Sequence, residues 1–212
     1  MTEFLPGLSN DFLPRFLGGM TLNFEIAAIA LLIGLAIGAV LALGRLAGGV
    51  AGAASVSLVS LMRAAPTFVV MFFLLNALPR DATLFGRPFA LSGVMTVALS
   101  LVPYSAAYVG DAAFDALRHL RAGATHGALL FLPNVTRAFF VLVMSSSAGA
   151  AIGVTEGITV ILREAEHLPD LDDRLMLFAL GIVLFGIPLQ IAFALVGVLQ
   201  RRVARATAAR AM

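Results

Sequence analysis

The 212-residue chain is too apolar to be an ordinary soluble domain. Hydrophobic residues make up 60% of it and charged residues only 12%, against about 25% charged residues in average soluble proteins, and its mean hydropathy is +1.00. The chain has no cysteine, which excludes a disulfide framework, a thiolate metal site and thiol redox chemistry. Its lysine and arginine positions are all arginine. Arginines that flank membrane helices are more common than a nucleic-acid-binding patch in a chain of this kind. The composition predicts an integral membrane protein without a nucleic-acid partner.

Apolar stretches in chain order predict about five transmembrane helices. A helix needs roughly 20 mostly apolar residues to cross about 30 Å of hydrocarbon. The first stretch ends at Arg45, and Gly34 and Gly38 give it a smooth face against which another helix can pack closely. Arg63 and Pro66 divide the next stretch, so we expect a partly embedded helix over residues 51–62 before the second span. The predicted spans cover residues 22–44, 64–78, 89–110, 138–155 and 175–199.

The placement of the arginines predicts how the chain is oriented. With the N-terminus outside, nine arginines fall on the inner side and five on the outer side, as the positive-inside rule requires. The sequence therefore predicts an all-α polytopic membrane helical bundle in the lipid bilayer, with its N-terminus out and its C-terminus in. Residues 115–137 then lie in the cytoplasm. The acidic loop over residues 156–174 lies outside, either as a contact for a solute-binding protein or as a solvated run of charges.

Hydroxyl groups inside the spans form the first candidate site. Three serines in the fourth span could serve as nucleophiles if a histidine base were near, but all three histidines lie in predicted loops. Close packing by small residues is the simplest interpretation, and a polar lining of a translocation path is the functional one. A tyrosine at the end of the third span is either part of that path or an interfacial anchor. The candidate path residues are Tyr104, Ser105, Ser145, Ser146 and Ser147.

An ordered set of short motifs resembles the membrane subunits of ATP-binding-cassette (ABC) importers for polar amino acids. The motifs extend over most of the chain, from residue 19 to residue 202, and their order is more specific than any one of them. They are Gly19 with Thr21-Leu22 before the first span, Arg63-Ala64-Ala65-Pro66 before the second, Ser105–Val109 with Asp111 at the end of the third, and Ile152-Gly153-Val154-Thr155-Glu156 after the fourth.

This resemblance implies a permease of the type I importer kind, working by alternating access in a bacterial inner membrane. ATP would be bound and hydrolysed by a separate cytoplasmic ATPase dimer, so that this chain is not an enzyme and holds no cofactor. The chain itself has no P-loop, since it contains no lysine, and no metal-ligand spacing. The other implied partners are a periplasmic solute-binding protein and a second permease chain, with a heterodimer favoured over a homodimer. The alternative is a structural or regulatory membrane subunit without transport competence of its own.

The resemblance also assigns residues 115–137 to the cytoplasmic loop that contacts the ATPase. The family pattern is Glu-Ala-Ala, then a glycine, then an Ile/Leu-Pro step. Gly123 is displaced from the expected spacing, and the region before the Leu-Pro step is shorter than in the family, so we expect an abbreviated coupling loop. Without the resemblance, the arginines of this loop would only set topology. The candidate coupling residues are Asp115, Arg118, Arg121, Ala122, Gly123, Ala124, Leu132 and Pro133.

Overall fold

The structure, a computed structural model, describes residues 10–77, 83–84, 87–88 and 91–210. The predicted ends of the second and third spans, at residues 78 and 89–90, lie outside the described residues. In chain order the elements are α1 (Phe12–Ala47), α2 (Gly49–Ala64), α3 (Thr67–Ala77), the paired two-residue strands β1 (Thr83–Leu84) and β2 (Arg87–Pro88), α4 (Gly93–Arg121), α5 (Thr125–Ala128), α6 (Phe131–Ser145), a 3₁₀ helix (Ser146–Ile152), α7 (Gly157–His167) and α8 (Leu171–Arg210).

The predicted all-α polytopic bundle is confirmed. Among the described residues, four helical stretches are long and apolar enough to cross a membrane, and α2 with α3 forms a fifth candidate that is bent by 91°. The four stretches are Phe12–Ala47, Gly93–Arg121, Phe131–Ile152 and Leu171–Val198.

The second predicted span, over residues 64–78, differs from the structure because the helix breaks inside it. Ala65 has an extended backbone with φ −74° and ψ 113°, the conformation that a following proline imposes on its neighbour. Pro66 also lacks the N–H that an uninterrupted helix would need. The remaining helix α3 has 11 residues and is about 16 Å long at 1.5 Å per residue. It is too short to cross about 30 Å of hydrocarbon alone.

Helices α1 and α4 form the centre of the bundle through closely packed small residues. A Cβ added to Gly34 would overlap the Oγ of Ser105, and one added to Gly38 would lie 2.8 Å from the backbone nitrogen of Gly110. The smooth face predicted from these glycines is therefore confirmed, with α4 as the helix that packs on it. The surrounding core includes Ile26, Ala27, Ala30, Val97, Leu101, Phe140 and Leu142.

Helix α7 corrects the prediction of a loop over residues 156–174, because most of the first part of this segment is helical and packed. Its apolar residues follow a helical spacing, and Val160, Ile161 and Ala165 are buried in a cluster with Phe12 and Phe16 of α1. The acidic residues of this segment had suggested exposure, but their carboxylates divide between the buried and the exposed face of the helix. The segment is thus a packed element that joins the start of α1 to α8.

Candidate functional site

Asn23, Ser146 and Glu156 form a buried polar group that we call the asparagine–glutamate cluster. All three residues have 0% relative exposure. The Nδ2 of Asn23 donates to the Oγ of Ser146 at 2.8 Å and to Oε2 of Glu156 at 3.0 Å. Its Oδ1 accepts a hydrogen bond from the backbone N–H of Gly157 at 3.1 Å. One amide therefore joins α1 to the 3₁₀ helix and to the start of α7.

Glu156 belongs to this cluster because it caps α7. Its side chain accepts hydrogen bonds from the backbone N–H groups of Ile158 and Thr159, both at 2.9 Å. These are two of the N–H groups that the first turn of a helix leaves without a partner inside the helix. The positive end of the helix dipole also stabilises a carboxylate here. The acid can therefore be buried, because the start of α7 supplies its hydrogen-bond donors. The sequence did not predict this burial.

Two cavities flank the residues from Met144 to Ala148, which we call the serine segment. The first cavity, about 530 Å³, is lined by Thr67, Phe68, Met144, Ser145, Ser147 and Ala148. The apolar cavity, about 540 Å³, lies on the other side and is lined mainly by α7 and α8, together with Met144 and Ser147. Ser145 and Ser147 of the predicted path therefore border open space.

The other three predicted path residues lie elsewhere. Ser146 is buried in the asparagine–glutamate cluster, where its Oγ also donates to the carbonyl of Val143 at 2.7 Å. Ser105 is buried against Gly34, in the contact between α1 and α4. Tyr104 is half-buried and stacks on Tyr108, with ring centroids 6.1 Å apart. Of the five residues, the structure brings only Ser145 and Ser147 to the same cavity.

A second polar group, the arginine–aspartate cluster, lies at the other end of the bundle. Asp111 of α4 pairs with Arg45 of α1, Nη1 to Oδ1 at 2.6 Å, and with Arg63 near the end of α2. The guanidinium of Arg45 also lies 4.1 Å from the ring centroid of Phe114, a cation–π contact. The cluster therefore ties α1, α2 and α4 together where the second span breaks.

The candidate coupling residues fall on two helices and the turn between them. Helix α4 runs without interruption to Arg121, so Asp115 and Arg118 lie on the same helix as the third span. Leu132 and Pro133 lie in the first turn of α6, where the missing N–H of proline costs nothing. The predicted loop over residues 115–137 is thus mostly helical, and the turn that remains is short.

The turn itself, from Ala122 to Ala124, ends α4 in a Schellman arrangement. Gly123 has φ +73°, its N–H bonds to the carbonyl of Leu120 at 3.0 Å, and the N–H of Ala124 bonds to the carbonyl of His119 at 2.8 Å. A left-handed glycine in this position is a common way to end a helix. The left-handed backbone conformation at the end of α4 therefore explains why residue 123 is glycine.

Sequence reasoning missed the roles of Asn23 and Asp111. Asn23 is a lone amide in an apolar run, and such a residue in a membrane helix usually has a hydrogen-bonding partner. Asp111 had been noted only as part of a motif, without its pairing to Arg45 and Arg63. An acid and two arginines near the ends of three predicted spans were the available signal, because charges at membrane depth tend to pair.

The described chain is similar in fold to one solved transporter. It superposes on the crystal structure of an amino acid ABC transporter with histidines at a TM-score of 0.68 and 18% sequence identity, covering 91% of this chain and 95% of that chain. No protein-family profile and no curated protein matches the sequence. The chain therefore has an amino-acid ABC permease-like fold.

Proposed function

We propose that this chain is the membrane-spanning permease subunit of an ABC importer in a bacterial inner membrane. It moves a polar amino acid or a similar small solute by alternating access. A separate cytoplasmic ATPase dimer binds and hydrolyses ATP, and the chain itself holds no cofactor and catalyses no reaction. A periplasmic solute-binding protein delivers the solute, and a second permease chain completes the path.

The observation that carries this proposal is the fold. The likeness to an amino acid ABC transporter extends over 91% of the chain and leaves little of either chain unmatched. The first cavity beside the serine segment, which we call the solute cavity, agrees with it, since about 530 Å³ falls within the range of small-molecule sites. The hydroxyls of Thr67, Ser145 and Ser147 in its lining offer donors and acceptors to a polar solute.

The coupling surface is proposed at the end of α4 and the turn after it. Asp115, Arg118 and Arg121 are exposed there, and arginines pair well with carboxylates of a partner protein. The exposed turn is short, and α5 has only four residues. A short coupling surface favours a heterodimer, in which a second permease chain supplies the larger contact with the ATPase.

The second candidate is a structural or regulatory membrane subunit of such a complex that does not itself transport. The same short turn favours it, because a subunit without a strong contact to the ATPase receives little of the energy of ATP hydrolysis. Uptake measurements separate the two candidates. Loss of solute uptake on deletion, restored by the intact chain but not by a variant with a blocked solute cavity, supports the permease.

Charge reversal tests the coupling surface. Arg118→Glu with Arg121→Glu should reduce co-purification of the ATPase with the tagged chain by about tenfold, since opposite charges would then become like charges. Arg163→Glu is the matched control, because Arg163 is also exposed but lies on α7 at the opposite side of the bundle. Normal ATPase recovery and normal uptake by the double variant would contradict the proposed surface.

A further inference from the structure

Asn23 is the centre of the asparagine–glutamate cluster because its side-chain amide bonds to three different residues through its NH₂ group and its oxygen. Both hydrogens of its Nδ2 are donated, to Ser146 and Glu156, and its Oδ1 accepts from the backbone of Gly157. Rotating the amide by 180° would place its oxygen against the carboxylate of Glu156 and its NH₂ against an N–H donor. The hydrogen-bond pattern therefore admits one orientation.

Helix α1 is held against Glu156 by a close backbone contact as well as by hydrogen bonds. Gly19 precedes Asn23 by four residues, so the two share one face of α1. A Cβ on Gly19 would lie 2.7 Å from both the carbonyl carbon of Glu156 and the nitrogen of Gly157. The amide of Asn23 is thus placed by a contact that leaves little room for α1 to slide or rotate.

The bond from Asn23 to Ser146 reaches the serine segment where the type of helix changes. Helix α6 ends at Ser145 and the 3₁₀ helix begins at Ser146, so the winding of the chain changes between them. Successive residues differ by about 100° around an α-helix and about 120° around a 3₁₀ helix. Holding Ser146 inward therefore turns Ser145 and Ser147 away from the core on either side of it. Both line the solute cavity, and Ser147 also lines the apolar cavity.

We propose that Asn23 and Glu156 are positioning residues of the solute path. Asn23 holds Ser146 in the core, Glu156 holds Asn23, and Ser145 and Ser147 present their hydroxyls to the solute as a result. The role in transport rests on the proposed function, since the cavity is a solute path only in a permease. The geometric role of the cluster does not depend on it.

The chemistry of the cluster predicts the effect of two substitutions. Asn23→Leu keeps the approximate size and removes all three hydrogen bonds of the amide. Ser146 then loses the side-chain bond that links it to α1 and keeps its bond to the carbonyl of Val143 in its own segment. Glu156→Gln keeps the shape, but its new NH₂ group faces donors from Asn23 or from the start of α7. We expect Glu156→Gln to loosen the hold of Asn23 on Ser146 as well, but to a smaller degree. The Glu156→Gln chain should also fold more readily than the Asn23→Leu chain.

The absence of cysteine from the sequence makes the test direct, because single cysteines can be introduced without removing others. Ser147→Cys reports on the cavity, and Ser100→Cys reports on a site in α4 that is 1% exposed. In the parent chain, a membrane-impermeant methanethiosulfonate should modify Cys at 147 about tenfold faster than Cys at 100, because thiol reactivity follows access.

Adding Asn23→Leu should lower the rate at position 147 by about fivefold and leave the slow rate at position 100 unchanged, and Glu156→Gln should lower the rate at position 147 by about twofold. Thr21→Val is the matched control, since Thr21 is exposed on α1 and its hydroxyl donates to the carbonyl of Gly18 in the same helix. An unchanged rate at 147 in both cluster variants overturns the positioning role. A higher modification rate at position 100 in the Asn23→Leu chain identifies loss of the fold. In that case the rate at position 147 in the Glu156→Gln chain decides whether the cluster has a positioning role.

Uptake kinetics separate this inference from the proposed function. For a permease, Asn23→Leu should raise the KM for solute by about tenfold with a smaller change in maximal rate, because the hydroxyls that contact the solute are displaced. A fall in maximal rate with unchanged KM overturns the role in the path. Absence of any solute uptake by the intact complex refutes the proposed function, while the thiol rates still test the geometry.

Discussion

The two polar clusters of this bundle differ in burial and in the groups that stabilise their carboxylates. In the asparagine–glutamate cluster, the carboxylate of Glu156 is fully buried and is held by an amide and two backbone N–H groups. In the arginine–aspartate cluster, Asp111 faces two guanidinium groups. The side chains of Asp111, Arg45 and Arg63 are 37%, 21% and 63% exposed. One cluster thus relies on dipoles and the other on opposite charges.

The two clusters should differ in how much stability the protein loses when one partner is removed. Water can reach Asp111 and its arginines, so a lost ion pair is replaced by hydration, and such pairs contribute little to stability. No solvent replaces a partner of Glu156, because the group has no exposed surface, and an unsatisfied buried polar group is costly. The asparagine–glutamate cluster should therefore respond strongly to single substitutions, and the arginine–aspartate cluster weakly.

Removing the buried acid should have the largest effect. Glu156→Ala leaves one N–H of the Asn23 amide and two backbone N–H groups of α7 without acceptors, and should lower the free energy of unfolding by about 3 kcal/mol. Titration of the detergent-solubilised chain with SDS, followed by helical circular dichroism, measures this. Glu166→Ala is the control, since Glu166 lies on the exposed face of the same helix. Equal stability of the two variants would contradict the proposed importance of the cluster.

A methyl group placed between α1 and α7 should have the next largest effect. Gly19→Ala brings a Cβ within 2.7 Å of backbone atoms that cannot rotate away, and such overpacking costs about 2 kcal/mol. Gly18→Ala is a matched control from the adjacent position, where an added Cβ meets nothing within 4 Å. It should be neutral or slightly stabilising, since alanine favours helix more than glycine. The same SDS titration compares them, and equal midpoints would mean that α1 and α7 are less closely packed than described.

Neutralising the acid of the arginine–aspartate cluster should have the smallest effect. Asp111→Asn should cost about 1 kcal/mol or less, because both arginines retain access to solvent or lipid headgroups. The loss should shrink further at high salt, which screens exposed charges. Asp115→Asn, one turn further along α4, is the control for stability. A loss as large as that of Glu156→Ala would remove the distinction between the two clusters.

Much of the fold could be predicted from local sequence properties. The lengths of the apolar runs gave the class and the approximate number of spans, and Gly34 and Gly38 marked the face that α4 covers. Arg63 and Pro66 predicted a division of this apolar stretch close to where the helix breaks, but not that the break falls inside the second span or that it bends the chain by 91°. These features depend on hydrophobicity and on the backbone chemistry of glycine and proline, which act over a few residues.

The candidate site was harder to predict because its contacts are distant in sequence. Glu156 opens the segment 156–174, whose six acidic residues led us to expect an exposed loop. Its burial depends on Asn23 and Gly19, more than 130 residues away. Ser145, Ser146 and Ser147 are likewise equivalent in the sequence. In the structure Ser146 is buried against Asn23, whereas Ser145 and Ser147 line a cavity. Composition alone cannot distinguish among them.

The most direct test of the central claim is ATP-dependent solute uptake by the complex purified through this chain. The complex, reconstituted in liposomes with its solute-binding protein, should accumulate at least one radiolabelled polar amino acid. Accumulation should require ATP on the ATPase side and should be reduced when a bulky side chain, as in Ser147→Trp, fills the solute cavity. A complex that recovers an ATPase but shows the same uptake with intact and blocked cavities would contradict the assignment of this chain as the permease.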